Sequence, residues 1–145
     1  MLLPDVNILV NAHRWDAIGH ERFKHWLENL IYGDEAYGIS DLVCSGFLRI
    51  VTHPRIFGYP TSLDDALRFL AQVRSQPNCT LITPGLRHWE IFTELCRATA
   101  ARGNLVPDAY FAALAIESGS EWITMDGDYG RFPGLRWRRP FDGPL

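Results

Sequence analysis

The chain has 145 residues, with 47% hydrophobic, 21% charged and 12% aromatic side chains, and its formal net charge is −3. A chain of this length buries about 70% of the surface that its unfolded form exposes, so one domain with its own core is expected without disulfides or structural metals. The negative charge argues against a protein whose main task is to coat nucleic acid, while an enzyme that handles nucleic acid at one acidic site stays compatible with it.

In the first half of the chain, apolar residues stand at strand and helix spacings, which predicts alternating strands and helices. The expected elements are a strand in the run 1–10 that ends at Asp5, a helix from His20 to a stop at Gly33, a strand at 36–39, a helix capped by Ser40 that closes before Pro54, and a helix at 63–73 after a capping box of Ser62 and Asp65. Pro4 cannot donate to a sheet ladder, so it fits the first strand only where that strand gives way to a turn.

The second half of the chain continues the alternation. The expected elements are a strand at 79–83, a helix over 89–96 that Gly103 ends, a helix from Pro107 to Gly119, a strand at 122–125 and a short last strand near 135–137. Short strands that alternate with helices indicate an α/β fold with a mostly parallel sheet.

The cysteines and the N-terminal residues indicate a cytoplasmic protein. Cys44, Cys79 and Cys96 form no C-x-x-C pair and are odd in number, so neither a disulfide framework nor a zinc site is expected. The first residues, MLLPDVNILVNAH, contain no basic leader, and Asp5 interrupts their short apolar stretch. Neither a signal peptide nor a membrane span is therefore expected here.

Several aspartates follow predicted strands. Parallel strands joined by helices have their carboxyl ends at one edge of the sheet, where ligands bind. Asp5 ends the first strand, Asp41 follows the second, and Asp126 and Asp128 follow the strand at 122–125. These four are expected at one edge, whereas the pattern leaves open the edge of Asp108, which lies in the first turn of its helix.

Carboxylates that crowd together repel one another unless a cation lies among them or one is protonated. Their hard oxygen atoms suit Mg²⁺ or Mn²⁺ better than zinc, and ions held in this way activate water and stabilise charge on a phosphodiester. Each acid also has a simpler explanation: Asp108 as a first-turn residue that suits the helix dipole, and Asp126 with Asp128 as turn residues. The residue pattern alone therefore stops short of a nuclease.

Three segments together resemble the PIN-domain ribonucleases, and specifically the VapC toxins of type II toxin–antitoxin pairs. They are LLPDVNILVNAH, GNLVPDAYFAALAIESG and WITMDGDYGRFPGL, in that order. The resemblance covers nearly the whole chain and implies one PIN-like domain over residues 1–145, a three-layer α/β/α sandwich. It also implies a toxic endoribonuclease that depends on Mg²⁺, with Mn²⁺ as a substitute. A VapB-like antitoxin, an RNA substrate and a homodimer are the implied partners, and no membrane is involved.

The resemblance also assigns site residues. Asp5 and Asp108 match the magnesium-binding aspartates of the family, and Asp126 matches the acid that completes its catalytic site. Asp128 matches a frequent but less essential acid and is a further candidate metal ligand. Asn7 occupies the small polar position two residues after the first aspartate and is a candidate for substrate binding.

One position departs from the family pattern. Many members carry a glutamate about six residues after the serine that opens the second helix, and counting from Ser40 this position is Gly46. The missing acid leaves open whether a second metal is held. Arg49, on the same helix, is a second candidate for substrate binding. The alternative function is a catalytically weak or inactive PIN-like domain that acts as a scaffold for RNA or protein.

Receiver domains and haloacid-dehalogenase-like enzymes also place acids at strand ends for phosphoryl transfer. Those proteins need a lysine near the phosphate late in the chain, whereas Lys24 is the only lysine here. Dehalogenase-like enzymes also need D-x-D-x-T, whereas the first motif reads Asp5-Val6-Asn7. The sequence therefore favours the nuclease over these enzymes.

Overall fold

A computed structural model describes residues 1–143 and shows a parallel five-stranded sheet. The strands are β1 Leu2–Pro4, β2 Tyr37–Ile39, β3 Cys79–Leu81, β4 Glu121–Ile123 and β5 Trp137–Arg138. Their order across the sheet is β3-β2-β1-β4-β5, and every neighbouring pair is parallel. All the predicted strands are present, so the predicted α/β fold is confirmed.

In the described part of the chain, six α-helices connect these strands, together with one short 3₁₀ helix at Gly127–Arg131. They are α1 Val6–His13, α2 His20–Ile31, α3 Asp41–Val51, α4 Leu63–Arg74, α5 His88–Thr99 and α6 Leu105–Ser118. The hydroxyls of Ser40 and Ser62 accept hydrogen bonds from the first turns of α3 and α4, so both predicted N-caps are confirmed. Of the predicted capping box only the Ser62 half is formed, because the Asp65 carboxylate accepts from Arg68. Within residues 1–143, none of the helices has the length and apolar character needed to cross a bilayer.

Two predictions about the helices were wrong. The helix α1 was not predicted, because Ile8, Leu9 and Val10 form an apolar run that is too short to distinguish a helix from a strand. In the structure β1 ends at Pro4, and the buried residues of α1 lie on one helical face. The helix α5 ends at Thr99, followed by Ala100 with a φ of 49°, and not at Gly103.

The strand order determines where a ligand can bind. The chain passes from β1 outward through β2 to β3, and then back across to β4 and β5 on the other side of β1. Connections between parallel strands are almost always right-handed. Because the direction of winding reverses, α1–α4 and α5–α6 cover opposite faces of the sheet, which gives the three-layer sandwich. The reversal falls between β1 and β4, and ligands bind in the crevice at the carboxyl ends of such a strand pair.

Candidate active site

A cavity of about 550 Å³ opens beyond the carboxyl ends of β1 and β4. Asp5, Asp108 and Asp126 all line it, so the structure brings together the three aspartates that the sequence singles out as catalytic. Residues of α3, including Gly46 and Arg49, form another part of the lining. The cavity therefore lies at the reversal point of the sheet, where the topology predicts a binding site.

Asp5 is the most constrained of the three acids. It is the N-cap of α1 and only 6% exposed. Its Oδ1 accepts a hydrogen bond from Val6 N at 2.6 Å, and its Oδ2 accepts from Asn7 Nδ2 at 2.9 Å and from Thr124 Oγ1 at 2.6 Å. Burial, with a smaller contribution from the other two aspartates, raises the pKa of Asp5 to about 6, although the hydrogen bonds oppose this shift.

Asp108 lies in the first turn of α6 and is half-buried. The hydroxyl of Tyr129 donates to its Oδ1 at 3.3 Å. Burial first, and then the charges of Asp126 and Asp128, raise the pKa of Asp108. The structure thus settles the edge that the sequence leaves open, since α6 begins beside the cavity.

Asp126 is the exposed N-cap of the 3₁₀ helix, and its Oδ1 accepts from Asp128 N at 2.9 Å. Asp128 does not line the cavity, although its charge reaches Asp108. A role for Asp128 in metal binding therefore stays a prediction.

Asp41 lies at the expected edge of the sheet but outside the cavity that the other three acids line. It is the first residue of α3, is 75% exposed, and forms an ion pair with Arg74 at the end of α4. Its position after β2 places it near the correct edge of the sheet, but its side chain lies towards α4 and not towards β1.

Thr124 is a site residue that sequence reasoning missed. It is fully buried directly after β4, where its hydroxyl donates to Asp5 and accepts from Asn7 Nδ2 at 3.0 Å and from Asp126 N at 3.1 Å. The one available signal was its position, two residues before Asp126. Thr124 therefore links the two aspartates that follow the adjacent strands β1 and β4.

Asn7, predicted to bind substrate, is largely engaged within the protein. Its amide group donates to Asp5 and Thr124, and its Oδ1 accepts from Met125 N at 3.1 Å. These bonds hold the start of α1 against the end of β4. Arg49 is exposed on α3 and lines the cavity, so it remains available to a substrate.

Gly46, the position where the family resemblance implies an acid, lines the cavity. A Cβ atom at Gly46 would lie 2.9 Å from Val6 Cγ2, because α3 and α1 approach closely at this point. Glycine thus has a packing role here, and the site has no room for a fourth acid unless Val6 gives way.

We expect Gly46→Glu alone to lower the free energy of unfolding by about 1–3 kcal/mol through overpacking against Val6. The double variant Val6→Ala with Gly46→Glu relieves this contact and adds a carboxylate to the cavity. It should bind Mn²⁺ more tightly than Val6→Ala alone, as measured by calorimetric titration of both proteins. Equal affinities would show that a glutamate at this position does not reach the aspartates.

The donor set of the cavity suits a hard divalent cation. The hydrogen bonds to the three carboxylates come from hydroxyl, amide and backbone groups, and within residues 1–143 no basic side chain bonds to them. In this part of the chain no three acid, histidine or cysteine side chains already lie close enough together to hold one ion. Ionised carboxylates that line one cavity nevertheless repel one another. Mg²⁺ or Mn²⁺, which prefer oxygen ligands, would offset their negative charge.

Known proteins are similar to this chain over nearly its whole length. A family model described as PIN domain matches residues 2–135. Ribonuclease VapC43 of Mycobacterium tuberculosis is 42% identical over 143 residues, which cover 99% of this chain and 97% of that protein. Ribonuclease VapC25 of the same organism is 37% identical over 140 residues, which cover 97% of this chain and 99% of that protein.

Solved structures show the same fold at low sequence identity. One of these is VapBC2 from Rickettsia felis, which was solved bound to a DNA fragment from its promoter. One of its chains has a TM-score of 0.70 at 18% identity, and the match covers 95% of this chain and 97% of that chain. The Mycobacterium tuberculosis toxin VapC20, described as cleaving the sarcin-ricin loop, has a TM-score of 0.64 at 14% identity and covers 94% of this chain and 99% of its own. These structures agree with the three-layer architecture.

Proposed function

This chain belongs to the PIN-domain family, and on that premise we propose that it is a VapC-type toxin, an endoribonuclease that depends on Mg²⁺ or Mn²⁺. The main support for the proposal is that Asp5, Asp108 and Asp126 converge on one cavity, and that no basic side chain among the described residues bonds to their carboxylates. The choice of RNA as the substrate is supported by relatives that are named ribonucleases and match almost the full chain.

In this proposal the carboxylates of Asp5, Asp108 and Asp126 hold the cation. When bound, the ion supplies an activated water and stabilises the charge that develops on the phosphodiester. Thr124 and the backbone N–H of Val6 keep the Asp5 carboxylate oriented for this task.

In this proposal, residues at the rim of the cavity bind the substrate. Arg49 is exposed there, on a different element from the three aspartates, and its guanidinium suits a phosphate oxygen of the substrate backbone. Asn7 acts mainly by holding Asp5 and Thr124 in place. Hydrolysis then adds water across one phosphorus–oxygen bond of the RNA.

The purified chain is expected to cleave RNA internally in Mg²⁺ or Mn²⁺ and to lose this activity in EDTA. Restoring Mn²⁺ to the chelated protein should restore cleavage. Gel analysis of an end-labelled RNA pool distinguishes internal cuts from exonuclease trimming. Binding of RNA without cleavage in either ion would instead support the alternative of a PIN-like scaffold.

The proposed partners are a VapB-like antitoxin and a second copy of this chain. The antitoxin is supported by fold neighbours solved as toxin–antitoxin complexes. Co-expression with a candidate VapB-like protein tests the first partner, since the two should purify together. Light scattering on the isolated chain tests the second, because a monomeric mass at micromolar concentration would contradict a homodimer.

A further inference from the structure

Tyr129 is a buried tyrosine whose hydroxyl reaches the active-site acids. The side chain is 2% exposed and lines the cavity together with Asp5, Asp108 and Asp126. Its hydroxyl donates to Asp108 Oδ1 at 3.3 Å. A phenylalanine would fill the same apolar space without placing a polar atom among the three carboxylates, so packing alone does not account for the hydroxyl.

A series of aromatic rings fixes the position of Tyr129. Phe111 of α6 stacks on Trp122 of β4 at 5.3 Å between ring centroids, Trp122 contacts Tyr129 at 5.5 Å, and Tyr129 contacts Phe132 at 5.9 Å. Trp122 is fully buried in the sheet, so it gives the series a rigid centre. The hydroxyl of Tyr129 is therefore held at a constant place relative to β4.

Tyr129 also connects two elements that carry site acids. It belongs to the 3₁₀ helix that Asp126 caps, while its hydroxyl bonds to Asp108 on α6. The bond thereby joins the segment after β4 to the start of α6, whose relative placement sets the spacing between the two carboxylates. Burial, and then the charges of Asp5 and Asp108, raise the pKa of Tyr129 above its usual value, so the hydroxyl stays a neutral donor.

We propose that Tyr129 is a positioning residue for metal binding. Its hydroxyl holds the Asp108 carboxylate in a fixed orientation relative to Asp126. This inference rests on the proposed metal-dependent function and extends it to a residue outside the acidic set. One oxygen of Asp108 is engaged by Tyr129, which fixes the rotation of the carboxylate and leaves its second oxygen for the cation. Partners that orient metal ligands in this way typically contribute 10–100-fold to affinity or activity.

The test compares Tyr129→Phe with the control Tyr110→Phe. Tyr110 lies two residues after Asp108 on α6, but its ring packs on His88 and Phe92 of α5, away from the cavity. We expect Tyr129→Phe to bind Mn²⁺ about 10-fold more weakly in calorimetric titration without RNA, and Tyr110→Phe to match the wild type. RNA cleavage by Tyr129→Phe should recover when Mn²⁺ is raised to saturation, which a merely structural defect would not allow.

Mn²⁺ affinity equal to that of the wild type in Tyr129→Phe would overturn the inference, whatever its thermal stability. If this variant does not fold, Tyr129→Met decides, since methionine fills the buried space and also lacks the hydroxyl. A wild-type chain that binds Mn²⁺ without cleaving RNA would contradict the proposed function. The ratio of Mn²⁺ affinities between the wild type and Tyr129→Phe would then still test the role of Tyr129. A wild-type chain that does not bind Mn²⁺ would contradict both.

Discussion

Asp108→Asn is expected to reduce RNA cleavage by at least about 100-fold and to abolish growth arrest when the chain is expressed alone. The change removes a ligand charge from the cavity while keeping the size of the side chain and an oxygen for the hydroxyl of Tyr129. Because loss of an outer partner of a metal ligand already costs 10–100-fold, loss of a direct ligand should cost more. Initial rates at saturating Mn²⁺, together with colony growth after induction, measure the effect.

Asp41→Asn is the matched control for this experiment. Asp41 also opens a helix at the carboxyl edge of the sheet, but it pairs with Arg74 and lies outside the cavity. Its replacement should leave cleavage unchanged and cost less than about 1 kcal/mol of stability, as is usual for an exposed ion pair. Equal toxicity of Asp108→Asn and the wild type would contradict the assignment of Asp108.

Asp5→Asn is expected to remove a pH dependence of folding stability that the metal-free wild type shows. Burial raises the pKa of Asp5 from 3.8 to about 6, so between these values the folded state binds more protons than the unfolded state. Protonated Asp5 therefore adds to the free energy of unfolding. This contribution is fully present below pH 4 and is lost as the pH rises through 6. The loss amounts to roughly 3 kcal/mol between the two limits, taking 1.36 kcal/mol for each pKa unit.

Urea unfolding in EDTA at pH 4, 5, 6 and 7.5 measures this effect as a difference between wild type and variant. The absolute stability of Asp5→Asn also changes, because its amide group faces donors from Asn7 and Thr124. The comparison therefore uses the change of stability with pH. Parallel curves for the two proteins would show that Asp5 titrates alike in the folded and unfolded states.

Local patterns in the sequence predicted most positions of the helices and strands. The caps at Ser40 and Ser62 depend on residues within three positions of each other, and the structure has both. The stop at Gly119 likewise depends on one residue, whose φ of 66° favours glycine. Helix α1 was missed because its apolar run is too short to distinguish a helix from a strand, and only the tertiary structure shows where β1 ends and α1 begins.

The active site could be predicted only in part from the sequence. Motifs identified Asp5, Asp108 and Asp126, but the direction of a side chain at a helix start depends on what packs beside it. Asp41 consequently pairs with Arg74 outside the cavity. Thr124 was missed because a single threonine at a strand end carries no pattern, although it bonds to two residues that are 117 and 119 positions away in the chain.

The most direct test of the metal site is diffraction from crystals of the wild-type chain soaked in Mn²⁺, recorded where manganese scatters anomalously. We expect an anomalous peak in the cavity within coordinating distance of oxygens of Asp5, Asp108 and Asp126, and its loss in crystals of Asp108→Asn. A cavity without a peak, at a Mn²⁺ concentration at which the same protein cleaves RNA, would contradict the account.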